Sequence, residues 1–162
     1  MKLLYTILLT CSFYFVTSAQ TFSTSLIVPE ANDNGFKVFQ SEDGLHILSV
    51  SAINNSFPPT LGLFKTDFEG NLEWHRFYDS LAMTTLESAI MDGNYIYING
   101  FSNNDTINII RLIKLDLDGN VVQTWPIGDG YENEVPSKLI RLDEQFVAYH
   151  VLDIQGDREA WL

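Results

Sequence analysis

Two stretches of the chain are imperfect copies of each other: Leu61 to Tyr78 reads LGLFKTDFEGNLEWHRFY, and Ile110 to Ile127 reads IRLIKLDLDGNVVQTWPI. Lys65, Asp67, Gly70 and Asn71 recur as Lys114, Asp116, Gly119 and Asn120, and upstream Asp43-Gly44 recurs as Asp92-Gly93, all at one offset of 49 residues. A register kept over that span means one supersecondary unit used again, each copy burying its apolar face on the next. Such a repeat constrains how the chain packs and says little about what it binds.

Turn residues cut each copy into four short strands. The first copy reads as Phe36 to Ser41, Leu45 to Ala52, Leu61 to Asp67 and Leu72 to Tyr78; the second as Leu86 to Met91, Tyr95 to Phe101, Ile109 to Asp116 and Val121 to Ile127. β-branched and aromatic residues dominate these runs, and no window carries a helical stripe. The Asp-x-x-Gly-Asn element has a backbone reason. Asp favours the first position of a type I turn, Gly supplies the left-handed residue of the following bulge, and Asn extends the local hydrogen bonding. Ile107 to Leu115 is apolar at nearly every position, which predicts a strand covered on both faces. Trp74 and Trp125 differ by one strand period within their copies, so both are expected on the same face, filling the space between neighbouring sheets.

The reading is therefore all-β: antiparallel four-stranded blades of a β-propeller over residues 36–162, about two and a half blades of an incomplete ring. A third copy starts at Val135, with Ser137 to Leu142 and Phe146 to Leu152 as strands around Asp143-Glu144-Gln145, and Trp161-Leu162 falls inside its third strand. One repeat before Leu72 to Tyr78 lies the strand-like Ser23 to Pro29, an unpaired outer strand within the segment 20–35 and a candidate for closing the ring. Both ends together suggest the N-terminal piece of a longer protein.

Residues 1–19 read as a secretory signal: Lys2, an apolar run from Leu3 to Val16, then Thr17, Ser18 and Ala19, with cleavage expected before Gln20. The apolar run is short for a membrane span of about 20 residues. Cys11, the only cysteine, excludes an intrachain disulfide. Leu8-Leu9-Thr10-Cys11 loosely resembles a lipobox, but Thr10 departs from the small residue usual there, and Phe13, Tyr14, Phe15 and Val16 continue the hydrophobic region. The expected address is secreted or cell-surface, with no membrane insertion after cleavage. The formal net charge is −12, and because residues 1–19 contribute only Lys2, the rest of the chain carries −13 from 8 basic and 21 acidic side chains. A field of that sign repels phosphate backbones and anionic lipid, arguing against nucleic-acid partners, and keeps a secreted β protein soluble.

The pattern Lys65, Asp67, Gly70, Asn71, Trp74 resembles the blade repeats of quinoprotein-like β-propellers, and the Asp43-Gly44 and Asp92-Gly93 turns resemble the propellers of secreted Bacteroidota proteins. The resemblance implies the blade fold across residues 36–162. In quinone-binding members the turn is one residue longer between Asp and Gly, so the departure here speaks against a quinone cofactor.

Catalytic residues do not stand out. His46, His75 and His150 are isolated within strands, and Lys37, Arg76, Lys138, Arg141 and Arg158 show no arrangement locked to the repeat. Asp116, Asp118 and Asn120 place oxygens at alternate positions, as a loop wrapping calcium would. Asp67, Glu69 and Asn71 repeat the arrangement, which favours shared turn chemistry over a metal site. The expected function is a non-catalytic binding or scaffold segment with a protein or glycan ligand. The alternative is part of a quinoprotein-like or glycan-cleaving enzyme whose site lies in further blades.

Overall fold

The computed structural model describes residues 31–53, 59–81, 83–103, 108–127, 134–143, 145–154 and 157–161. The signal expected over residues 1–19, with Cys11, and the strand expected at Ser23 to Pro29 lie outside these residues.

Among the described residues eleven strands follow one another: β1 (Ala31–Gln40), β2 (Leu45–Ile53), β3 (Thr60–Thr66), β4 (Leu72–Tyr78), β5 (Met83–Asp92), β6 (Tyr95–Asn103), β7 (Asn108–Asp116), β8 (Val121–Ile127), β9 (Glu134–Leu142), β10 (Gln145–Ile154) and β11 (Asp157–Trp161). They form three antiparallel meanders: β1-β2-β3-β4, β5-β6-β7-β8 and β9-β10-β11. The chain is all-β, built of open blade-like sheets compatible with a propeller-like fold.

The strands of both full sheets stand where the repeat puts them, but the first strand of each copy runs further upstream. β1 begins at Ala31, and its polar residues Asn32, Asp33 and Asn34 pair with Ala52, Ser51 and Val50. Ladder hydrogen bonds belong to the backbone, so a polar run can extend an edge strand that hydropathy does not announce. β9 likewise reaches back to Glu134 through Pro136, which an edge strand tolerates. β11 starts at Asp157 and pairs with β10, so Trp161 lies opposite His150.

The Asp-x-x-Gly-Asn turns adopt the expected geometry in both copies. Gly70 N–H donates to the Asp67 carbonyl at 3.2 Å and Asp67 N–H to the Asn71 carbonyl at 3.1 Å; the second turn gives 3.0 Å for both equivalents. Gly70 and Gly119 have φ of 87° and 77°, and the ladder shifts register beside each turn. The Asp-Gly turns, by contrast, diverge. Gln40 pairs with Leu45 across a four-residue loop closed by Ser41 N–H on the Gly44 carbonyl at 2.9 Å, whereas Asp92 pairs with Tyr95 across Gly93-Asn94 alone.

The third copy repeats the short version with Asp143 in the place of Gly93, at φ 53° against 55°. A left-handed L-residue costs roughly 1–2 kcal/mol, which the extra chain freedom of glycine in the unfolded state offsets in part. Asp143→Gly is therefore expected to raise stability by about 0.5 kcal/mol, seen as a higher melting temperature. A lower one would mean the aspartate holds the turn by contacts that outweigh its strain.

Leu48, Leu61, Leu63 and Tyr78 of the first sheet share one buried cluster with Met83, Leu86, Ala89, Ile96, Ile98, Ile113 and Leu115 of the second. Cross-strand partners lie on one face, so Leu48 opposite Leu63, and Ala89, Ile98 and Ile113 in a row, mark the faces that meet. On β7, Ile113 and Leu115 enter this core while Ile110, buried on the opposite side, does not belong to it. The strand is thus covered on both faces, as its composition requires. The third sheet touches the second through Tyr97 on Phe146, ring centroids 4.2 Å apart, and through the Arg141 guanidinium on the Asp92 carboxylate.

Candidate functional site

The turn between β7 and β8 serves as a hairpin and as the joint between two sheets. Internally, the Asp116 carboxylate accepts the Asn120 backbone N–H on Oδ1 at 2.7 Å and the Asn120 side-chain amide on Oδ2 at 2.9 Å. Asp67 binds Asn71 in the same way at 2.8 and 2.7 Å, and those bonds hold its carboxyl below the usual carboxylate range. Externally, three groups of the first sheet grip the β7–β8 turn. His46 Nε2–H donates to the Leu117 carbonyl at 2.9 Å, Tyr78 Oη donates to the Gly119 carbonyl at 2.7 Å, and Arg76 Nη1 donates to Asn120 Oδ1 at 2.9 Å. Trp74 roofs the turn, so that a Cβ on Gly119 would come within 3.1 Å of its ring. Burial pushes the Tyr78 hydroxyl pKa well up, keeping it a donor.

These bonds settle where the calcium candidates stand. Asp116 and Asn120 come together, but as partners of each other, and the remaining Asn120 oxygen faces the Arg76 cation. Asp118 is exposed at the turn tip. Among the described residues no three His, Cys, Asp or Glu side chains gather as a metal site would require. Of the histidines, His46 is fully buried, with its ring edge-on to Trp74 at 6.1 Å, and His75 is exposed and stacks on Phe64 at 5.9 Å. The side chain of His150 lies outside the described residues. Trp74 packs against the shared core as expected. Trp125 is half-buried on β8, opposite Leu112.

A second tie braces the neighbouring loop. Lys65, buried on β3, donates from Nζ to Asp43 Oδ1 at 2.9 Å, and Ser41 Oγ donates to the same oxygen at 2.8 Å. The Lys65 hydrogen bond, then that of Ser41, lowers the Asp43 pKa to about 2. The repeat-equivalent pair has separated. Lys114 Nζ sits 3.7 Å from the Tyr95 ring centroid, a cation–π contact, while Asp92 turns to Arg141 of the third sheet.

Between the braced loop and the gripped turn lies a cleft of about 520 Å³, lined by Ser41, Glu42, Asp43, Asn94, Tyr95, Asp116, Leu117 and Asp118. Its volume is that of a small-molecule or peptide side-chain site. Its walls are hairpin turns fixed by their own hydrogen bonds. Glu42 and Asp118 are exposed in it beside the partly exposed Tyr95 ring, while Asp43 is paired with Lys65, so the cleft presents the negative charge of Glu42, Asp116 and Asp118 and one aromatic face. Sequence reasoning missed His46, Arg76 and Tyr78 as joint residues. The available signal was the alternation of Trp74, Arg76 and Tyr78 on one face of β4. No protein-family model, curated protein or solved structure matches the chain.

Proposed function

We propose that the protein is a secreted or cell-surface propeller-type binding module, related to the blade arrays of Bacteroidota, that holds a cationic segment of a protein partner in the acidic cleft. The single observation carrying this reading is the cleft itself, where exposed carboxylates converge on walls that cannot easily collapse. The other prominent ionisable groups support it by being committed elsewhere: Lys65 to Asp43, Asp67 to Asn71, Arg76 to Asn120, and Arg141 to Asp92. Such groups are spent on architecture and leave recognition, not bond-breaking, as the use of this surface. A glycan would meet the same Tyr95 face, but nothing in its chemistry calls for the concentration of negative charge.

A tetralysine peptide is the direct probe. Calorimetric titration is expected to show binding that weakens steeply as salt rises. The double substitution Glu42→Gln, Asp118→Asn should weaken it by about tenfold, the loss of ~1.4 kcal/mol, with the melting temperature unchanged because both side chains are exposed. Equal affinity in the double variant would remove the cleft as the site.

A further inference from the structure

Of the two histidines whose side chains are described, His46 is wholly enclosed and His75 exposed, and the two nitrogens of His46 are treated differently. Nε2–H is used on the Leu117 carbonyl across the sheet junction, which fixes the neutral tautomer with its lone pair on Nδ1. Nδ1 is buried and has no hydrogen-bond partner. The charged groups facing the ring come from three elements of the first sheet: Lys65 on β3, Asp43 in the β1–β2 loop and Glu73 on β4. The nearest packed neighbour, Trp74, offers a ring edge. A proton arriving at Nδ1 would therefore create a second cation in the enclosure that already holds the buried Lys65 ammonium, with no acceptor for the new N–H.

We propose that His46 is an acid-sensitive pin: neutral, it clips the β7–β8 turn to the first sheet, and on protonation it leaves its enclosure and lets the turn loosen. The mechanism needs only a proton from solvent and the exchange of one buried hydrogen bond for hydration of the imidazolium. Tyr78 and Arg76 still grip Gly119 and Asn120 in the acid form, so the response is a loosening centred on Leu117 and not separation of the sheets. Leu117 and Asp43 also line the cleft, so the pin would regulate the proposed binding site and to that extent rests on that reading. The junction itself is tested without any ligand.

Burial lowers the His46 pKa from 6.5, the Lys65 charge adds to that, and the Leu117 bond, Asp43 and Glu73 oppose it. The unfolded chain thus takes up the proton first. Stability from this site is complete above about pH 6.5 and is lost as the pH falls through the window below it.

The test is a pH titration of the full chain by ¹H–¹⁵N and imidazole NMR between pH 8 and 5. The His46 ring is expected to titrate below the ordinary histidine value, with the amides of residues 117–120 moving at the same midpoint and those of the twin turn, 67–71, unmoved. In His46→Gln, which keeps a donor for Leu117 and cannot be protonated, that movement should vanish. Lys65→Met removes the neighbouring cation and should move the His46 midpoint upward, which provides a readout if His46→Gln fails to fold. An ordinary His46 midpoint with still amides at 117–120, amide movement that survives in His46→Gln, or an unmoved midpoint in Lys65→Met would each overturn the proposal. Loss of tetralysine binding with the NMR titration intact would instead sink the cleft alone.

Discussion

Replacing Gly119 with valine is expected to destabilise the chain by about 2–5 kcal/mol, combining left-handed backbone strain with overpacking. Two independent demands meet at this residue. Its φ of 77° is one that a β-branched side chain adopts only under strain, and the β7–β8 hairpin needs that φ to bring Asp116 N–H onto the Asn120 carbonyl. Its missing Cβ is also what lets the turn lie against Trp74 and Arg76, whose atoms would stand 3.1 Å from an added carbon. Relief by moving the turn away would lengthen the Tyr78 bond to the Gly119 carbonyl, leaving a buried hydroxyl unpaired at a cost of about 1–3 kcal/mol. Gly93→Ala is the control. Its φ of 55° carries the backbone strain, but no atom lies within 4 Å of its added Cβ, so only about 1 kcal/mol should be lost. Urea midpoints of the two variants that coincide would show that the turn does not bear on the first sheet.

The contrast between those glycines also marks what could be read in the sequence and what could not. The Asp-x-x-Gly-Asn turns were legible because every bond that shapes them lies within five residues, and the chemistry of Asp, Gly and Asn at those places has few alternatives. The strands followed from their β-branched runs, apart from stretches such as Asn32 to Asn34 that pair through the backbone while their side chains look like loop. The grip on the turn was not legible. His46 meets Leu117 and Tyr78 meets Gly119 at sequence separations of 71 and 41 residues, and neither contact recurs in the pattern. In the second copy the gripping positions His46, Trp74, Arg76 and Tyr78 are held, by ladder register, by Tyr97, Gln123, Trp125 and Ile127. Repetition conveys what all blades share, so a contact made once stays hidden in it. The oxygen spacing of Asp116, Asp118 and Asn120 was legible as a pattern but open in meaning; only the bonds to Asn120 and Arg76 show how Asp116 and Asn120 are used.

Ile98→Ala should have an effect of similar size for a different reason. Ile98 is fully buried in the second strand of its sheet, between Ala89 and Ile113 on the face that meets Leu48 and Leu63. Truncation removes three carbons from the shared core, and large-to-small changes of this kind cost about 2–5 kcal/mol, the spread reflecting how far the cavity can collapse. Collapse is poor here. One neighbour, Ala89, has no side chain long enough to swing into the space, and the others are held by ladders on two rigid sheets. In the first sheet Ile47, opposite Phe64, stands where Ile98 stands opposite Ile113, and it alternates with Leu48, so it lies on the face turned away from this core. Because residues of both sheets line one cluster, the loss should appear as a single cooperative shift of the whole denaturation curve, with Val122→Ala, exposed on β8, remaining within about 0.5 kcal/mol of the parent. Two separated transitions in Ile98→Ala, or a loss below about 1 kcal/mol, would mean that the first two sheets do not fold as one body around this residue.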